Sequence, residues 1–178
     1  LLEYAIKRGL PTVIATTGHS EEELSLIRAA AEKIPIFFTA NMSVGIAMLA
    51  EFAKTVAHMF PDADIEIVEK HHNRKLDAPS GTALLIANEI KEIRQQAQFV
   101  YGRDGHVKRT KEEIGIHAVR MGNIIGEHEV IIGTDTQTIT LKHEAHDRSL
   151  FAEGAVTAAS FLVKMPCGLY NMKDMIRQ

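Results

Sequence analysis

Apolar residues recur along this chain at two periods, and the changes from one to the other mark the predicted elements. Leu1–Arg8 reads as the end of an amphipathic helix, stopped by Gly9 with Pro11 just beyond. The apolar run Pro11–Ala15 is predicted as a short buried strand that ends in Thr16-Thr17-Gly18. Ser20 and Glu23 form a capping box for a helix with Leu24, Ile27, Ala30 and Ala31 on one face. Ile34–Thr39 is a second apolar strand, and Ala40-Asn41-Met42-Ser43 is its carboxyl-end loop. Met48, Leu49, Phe52, Val56 and Met59 then keep helical spacing from Val44 to about Met59. Strands alternating with helices imply a parallel sheet, whose ligands bind outside the carboxyl ends of the strands. Both polar loops lie on that edge, although Thr-Thr-Gly taken alone is better read as a plain turn.

After Pro61 the pattern changes. Ile65 and Ile67 alternate with Glu66 and Val68 in a half-buried strand that runs into His71 and His72. Ser80 is an N-cap for a helix over Thr82–Ile93, and 97–113 reads as an exposed polar loop. Three strands follow, Ile114–Arg120, His128–Gly133 and Thr136–His143, joined through Met121-Gly122-Asn123 and Thr134-Asp135 in the manner of antiparallel hairpins. Arg148 to Val163 returns to helix, and Gly168-Leu169-Tyr170-Asn171-Met172 forms an anchored tail. The predicted class is α/β: an incomplete parallel-sheet unit, a mixed or antiparallel sheet domain, and a closing helix that can pack on either.

Composition narrows the partners. The net charge of −3 comes from 20 basic and 23 acidic residues interspersed along 178 positions, so no footprint for nucleic acid or a membrane surface stands out. Small molecules, or copies of the chain itself, are the expected partners. A single cysteine, Cys167, excludes an internal disulfide and fits a reducing compartment. No apolar run approaches the roughly 20 residues of a membrane-spanning helix, and no signal-peptide series is present, so a cytoplasmic location is expected. The chain starts inside a helix and without Met, which suggests further sequence upstream.

The chemistry concentrates in residues 64–83, DIEIVEKHHNRKLDAPSGTA. His71 and His72 leave a strand on opposite sides, so at least one faces a cleft or solvent. With Arg74 and Lys75 they place four groups able to carry positive charge in one loop. Such crowding costs free energy unless anions bind, and it pushes His and Lys pKa values down. A pocket for a carboxylate-bearing substrate, with His or Lys moving a proton, is the functional reading. The Ser80 and Thr82 hydroxyls, Gly81 and the free N–H groups of the next helix add an anion site, against the plain alternative of an ordinary N-cap. Arg148 can close that site from the far side. Nine histidines invite a metal, but adjacent His71-His72 cannot easily ligate one ion and no HExxH or Cys/His cluster is present. Ser-nucleophile chemistry lacks its G-x-S-x-G elbow.

The stretch EKHHNRKLDAPSGTA resembles the signature of the dihydrodipicolinate reductase family, and VIATTGHSEEE, FFTANMSVG, VRMGNIIGEHEVIIG and HEAHDRSLFAEGA resemble it in the same order. The resemblance covers nearly the whole chain. It implies an enzyme that reduces 4-hydroxy-tetrahydrodipicolinate to tetrahydrodipicolinate with NADH or NADPH, in the diaminopimelate route to lysine. It implies the C-terminal part of a Rossmann-like domain over 1–40 and 149–178, and a mixed substrate-binding domain over 41–148 that builds a homotetramer. By motif, His71 matches the catalytic acid and Lys75 the second catalytic residue. His72, Lys75, Ser80, Gly81 and Thr82 match the groups around the two substrate carboxylates. Thr16, Thr17 and Gly18 match the loop at the nicotinamide end of the cofactor, with Ala40, Asn41 and Met42 beside it, and Arg148 is grouped with these cofactor contacts. No metal is implied. The family usually has glycine at position 15 and often phenylalanine at 42, where this chain has Ala15 and Met42.

The family's glycine-rich phosphate loop would lie before Leu1, so the isolated chain is expected to bind dinucleotide poorly and to reduce nothing at a useful rate. Two other classes remain open: a non-catalytic oligomerisation and dicarboxylate-binding module, and a metal-dependent hydrolase using the histidines.

Overall fold

The computed structural model describes residues 1–177. In chain order its elements are α1 (Leu2–Arg8), β1 (Thr12–Ile14), α2 (Glu21–Ala31), β2 (Pro35–Phe38), α3 (Val44–Met59), β3 (Asp64–His71) and α4 (Gly81–Lys91). There follow β4 (Gln98–Tyr101), β5 (Glu113–Arg120), β6 (Gly126–Gly133), β7 (Thr138–Ala145), α5 (Ser149–Leu162), β8 (Gly168–Tyr170) and α6 (Met172–Ile176). They form two compact units, one of Leu1–Ala47 with the residues from Ser149 onward and one of Met48–Arg148. Among the described residues no helix is long and apolar enough to cross a membrane.

The first unit carries the three-stranded parallel sheet β1-β2-β8. α1 stops where Gly9 takes φ 64°, a left-handed cap that an L side chain resists. The capping box of Ser20 and Glu23 opens α2 as expected. In the central strand β2, alternation sends Ile36 into a cluster with Ala5, Ile27, Ala30 and Ala31, and Phe37 into another with Met42, Ala158, Phe161 and Leu162. Burying each such large side chain contributes about 1.5–3 kcal/mol. α5 packs on β1 and β2.

Two readings of this unit change. Pro11–Ala15, expected as a buried strand, is only three residues long and half-buried, because β1 lies at the edge of the described sheet. The segment from Gly168, expected as a tail, is a strand paired with β2 followed by α6. Asn171 and Asp174 form the capping box that starts this helix, a signal present in the sequence.

The second unit is a five-stranded mixed sheet in the order β4-β5-β3-β6-β7. β3 lies at its centre, parallel to β5 and antiparallel to β6. α4 packs on β3 and buries Ala83, Ile86, Ala87 and Ile90. Two expectations fail here. The supposed loop 97–113 contains β4, a four-residue parallel partner of β5, too short and too closely flanked by polar residues to show periodicity. β5 also makes no hairpin with β6, since β3 lies between them; among the described residues only β6 and β7 form one, closed by the Thr134 N–H donating to the Gln137 carbonyl at 2.8 Å. The strand order depends on pairings between distant residues, which turn chemistry alone does not reveal.

Candidate functional site

β3 buries every second residue, and the buried row runs Ile65, Ile67, Glu69, His71. Its first half is core; its second half places a carboxylate and an imidazole in the same dry register. Glu69 is fully buried, a position that costs several kcal/mol for a carboxylate without partners. Four donors meet it. Oε1 accepts the Ser80 N–H at 3.0 Å and Arg120 NH2 at 2.7 Å, and Oε2 accepts Arg120 NH1 at 2.8 Å and lies 2.5 Å from His71 Nδ1. Burial alone would raise the Glu69 pKa, but the bonds from His71, Arg120 and Ser80 together outweigh it and hold the carboxyl down at about 2.

His71 is clipped into place by backbone bonds from the 121–125 connection. Its carbonyl accepts the Met121 N–H at 3.0 Å, while the His72 and Asn73 N–H groups donate to Ile124 and Gly122 at 2.7 and 3.3 Å. The edge of its ring meets His128, with centroids 5.2 Å apart. On the Nε2 side stands Gly126, where a Cβ would sit 3.1 Å from that nitrogen, so the absent side chain leaves the atom room. His128 is buried and pairs its Nε2 with Ser80 Oγ at 3.2 Å. Burial is the main cause that pushes its pKa down to about 3, so His128 is neutral at pH 7.

Two cations of the loop have polar partners within the chain. Arg74 donates to Asn123 Oδ1 at 2.6 Å, and Lys75 Nζ lies 2.9 Å from Asp77 Oδ1. Arg120 NH2 also donates to the Asp77 carbonyl at 2.7 Å, tying this loop to Glu69. His72 keeps its Nδ1 buried without a partner among the described residues. Its pKa is lowered by burial first and then by the charges of Arg74, Arg148, His71 and Lys75, so desolvation outranks the expected crowding. Arg148 therefore lies within electrostatic range of His72, in the same unit.

At the start of α4, Ser80 is an N-cap whose Oγ accepts the Ala83 N–H at 3.2 Å. Its own N–H is given to Glu69 and its hydroxyl to the His128 pair, so Ser80 frames the site from behind. Gly81 and Thr82 follow at the first two helical positions, where N–H groups point out of the helix.

The two loops of the first unit are simpler. Thr16, Thr17 and Gly18 are exposed beyond β1, with Thr16 Oγ1 2.9 Å from His19 Nε2 and Gly18 at φ 80°. Beyond β2, Asn41 Oδ1 accepts the Ser43 N–H at 2.8 Å, and the Met42 side chain is buried in the core. Asn41 and Met42 thus shape their loop rather than project from it. α5 presses on the same loop through Gly154, where a Cβ would lie 1.8 Å from the Met42 carbonyl oxygen.

Glu69, Arg120, His128 and Gly126 are missing from the sequence-based set. Glu69 carried a signal, an acidic residue in the buried register of a strand. Arg120 and His128 did not, since their places depend on the register that pairs Arg120 with His71 and His128 with Glu69. Among the described residues no three His, Cys, Asp or Glu side chains are grouped as metal ligands.

Residues 1–42 match the family model described as dihydrodipicolinate reductase, N-terminus, and residues 45–176 the one described as dihydrodipicolinate reductase, C-terminus. The 4-hydroxy-tetrahydrodipicolinate reductase of Clostridium tetani is 48% identical over 178 residues, which is 99% of this chain and 70% of the relative. That of Caldanaerobacter subterraneus is 49% identical over 180 residues, 100% of this chain and 72% of the relative. The dipicolinate-bound dihydrodipicolinate reductase from Paenisporosarcina sp. TG-14 aligns with a TM-score of 0.78 at 29% identity, over 96% of this chain and 66% of that one. With both halves matched in order and nearly half of its residues shared with these relatives, the chain belongs to the dihydrodipicolinate reductase family.

Proposed function

We propose that the chain provides the substrate site of a cytoplasmic 4-hydroxy-tetrahydrodipicolinate reductase, which forms tetrahydrodipicolinate in the diaminopimelate route to lysine. The observation that carries the reading is one short loop that joins a buried, oriented His71 to Lys75 and to the N-terminus of α4. A cyclic dicarboxylic imine needs two anion contacts and one proton donor beside a conjugated carbon. His72, Lys75, Gly81 and Thr82 are the groups for the carboxylates, and His71 with Lys75 delivers the proton. Asp77 competes for Lys75 in the free protein, so an incoming carboxylate takes over a cation already paired.

Residues 41–148 form the substrate-binding part in this reading, and 1–40 with 149–178 belong to the dinucleotide side. Thr16, Thr17, Gly18, Ala40, Asn41 and Met42 stand at the carboxyl ends of parallel strands, as a nicotinamide requires. Nothing approaches within 4 Å of where a Gly18 Cβ would be, which leaves the backbone open to a flat ring. NADH or NADPH supplies the hydride when bound. Arg148, the residue before α5, is near enough to His72 for its charge to lower the His72 pKa. A homotetramer is the assembly proposed, and β7, with alternate residues exposed along its length, is the sheet edge it can use.

Calorimetric titration of dipicolinate, the ligand bound by the Paenisporosarcina relative, tests the reading. Saturable one-site binding is expected, weakened by added salt because charge drives it. No heat at millimolar dipicolinate would overturn the assignment.

A further inference from the structure

We propose that Glu69 and Arg120 are positioning residues for the reduction: the Arg120 fork fixes the Glu69 carboxylate, which keeps a hydrogen on His71 Nδ1 and leaves Nε2 as the atom that exchanges the proton. The inference rests on the reading of His71 as the proton donor. Neither Glu69 nor Arg120 need touch the substrate.

A carboxylate has about four lone-pair sites, and Glu69 meets four donor groups, two at each oxygen. Three of them, the Ser80 N–H and the two guanidinium nitrogens, can only donate. They leave one site, at Oε2, facing His71 Nδ1 at 2.5 Å. An ionised carboxylate cannot donate, so an unprotonated Nδ1 would set two lone pairs against each other in a place closed to water. The contact is favourable only with hydrogen on Nδ1. In the neutral ring Nε2 is then the bare nitrogen, and in the cation it holds the proton that can leave.

Arg120 makes this arrangement rigid. Its remaining bonds go to the carbonyls of Val119 and Asp77, at 2.9 and 2.7 Å, so the guanidinium cannot rotate away without breaking both. The Asp77 carbonyl belongs to the loop that carries Lys75, and one guanidinium thereby sets the places of both proposed proton-transfer groups. On the other flank His128 packs against the His71 ring and Gly126 keeps a side chain from covering Nε2. His71 is thus held at one nitrogen and open at the other.

Nitrogen-15 NMR of the histidine rings tests this directly, with His71→Gln used to identify the His71 signals by their disappearance. The neutral His71 ring should show hydrogen on Nδ1. Glu69→Gln should move the ring toward the Nε2–H form, because an amide cannot offer acceptors at both oxygen positions. Arg120→Met should weaken the Nδ1–H preference, and Arg120→Lys should restore part of it. A native His71 with hydrogen on Nε2 overturns the proposal without any variant, so it stays open to refutation even where Glu69→Gln does not fold. Unchanged ring signals in a folded Glu69→Gln overturn it as well. Failure of the native chain to bind dipicolinate would instead sink the substrate-site reading and leave the tautomer result standing.

Discussion

In the parallel-sheet unit, the loops beyond β1 and β2 hold their shape by bonds that span two or three residues: Thr16 to His19, Thr39 to Asn41, Asn41 to Ser43. In the mixed-sheet unit the Glu69–His71 contact spans only two residues, but the bonds that hold it in place join residues 11, 48 and 51 positions apart, Ser80 to Glu69, Ser80 to His128 and Arg120 to Glu69. Short bonds shape a loop and leave its backbone to meet a ligand. Long ones hold ionised groups out of water, and so decide which atom carries a proton. A family that handles both a coenzyme and an acid–base step has use for both constructions, and each fails in its own way.

The largest effect should come from the atom that the long bonds serve. His71→Gln is expected to lower kcat of the reductase reaction by about 10²–10⁴-fold, with KM moved less than about threefold. Steady-state assays with both coenzymes, made on the chain extended to the length of its relatives, would measure it, and a rise in KM at constant kcat would make His71 a binding group instead. In the other unit the corresponding break is Gly154→Ala. Alanine normally gains about 1 kcal/mol over glycine inside a helix, but here its Cβ would sit 1.8 Å from the Met42 carbonyl oxygen. A net loss of about 3 kcal/mol in urea unfolding is expected, because backbone rather than a flexible side chain must yield. A gain in stability would show that the loop beyond β2 is not held by α5.

The same division explains what the sequence made legible. Local signals carried the helices, the caps at Ser20 and Ser80, and the order of the elements, because capping boxes and periodicity act over three or four residues. The motif from Glu69 to Thr82 is contiguous, so His71, Lys75 and the start of α4 were recognisable together. β4 and β8 were hidden, because strands of three or four residues show too few alternations and are made by their partners. Arg120, His128 and Gly126 were hidden for a related reason. They reach His71 only through the pairing of β5 and β6 with β3, and no spacing in one chain reports a register. Glu69 is the exception, visible in the sequence as a charge out of place on the buried face of its strand.

Acid should separate the two regions further. His128 has its pKa depressed from 6.5 to about 3, so between those values the unfolded chain binds a proton that the folded chain refuses. Stability therefore falls as pH drops through this window, by about 1.4 kcal/mol per unit. Glu69, ionised down to about 2 against an ordinary 4.5, adds a loss of the same sign only below pH 4.5. His143, also lowered by burial, contributes in the same sense and is common to both proteins in the comparison. His128→Asn should flatten the slope between pH 6.5 and 5 by about 1 kcal/mol per unit in urea titrations. An unchanged slope would mean that His128 is protonated in the native state and that the region behind Ser80 is wet.

The smallest effect tests the border where fixed structure meets the ligand. Thr82 occupies the second position of α4, where its backbone N–H is set by the helix. Valine keeps the β-branch and the backbone N–H and puts a methyl group in place of the hydroxyl. If the hydroxyl meets a substrate carboxylate, Thr82→Val loses one bond to a charged group, and dipicolinate Kd or substrate KM should rise about tenfold while kcat stays within about twofold. An affinity unchanged by the substitution would assign the anion contact to the N–H groups alone. The mixed-sheet unit would then, as proposed for the loops beyond β1 and β2, meet its ligand through backbone at this point, and its long-range bonds would serve the proton and not the carboxylate.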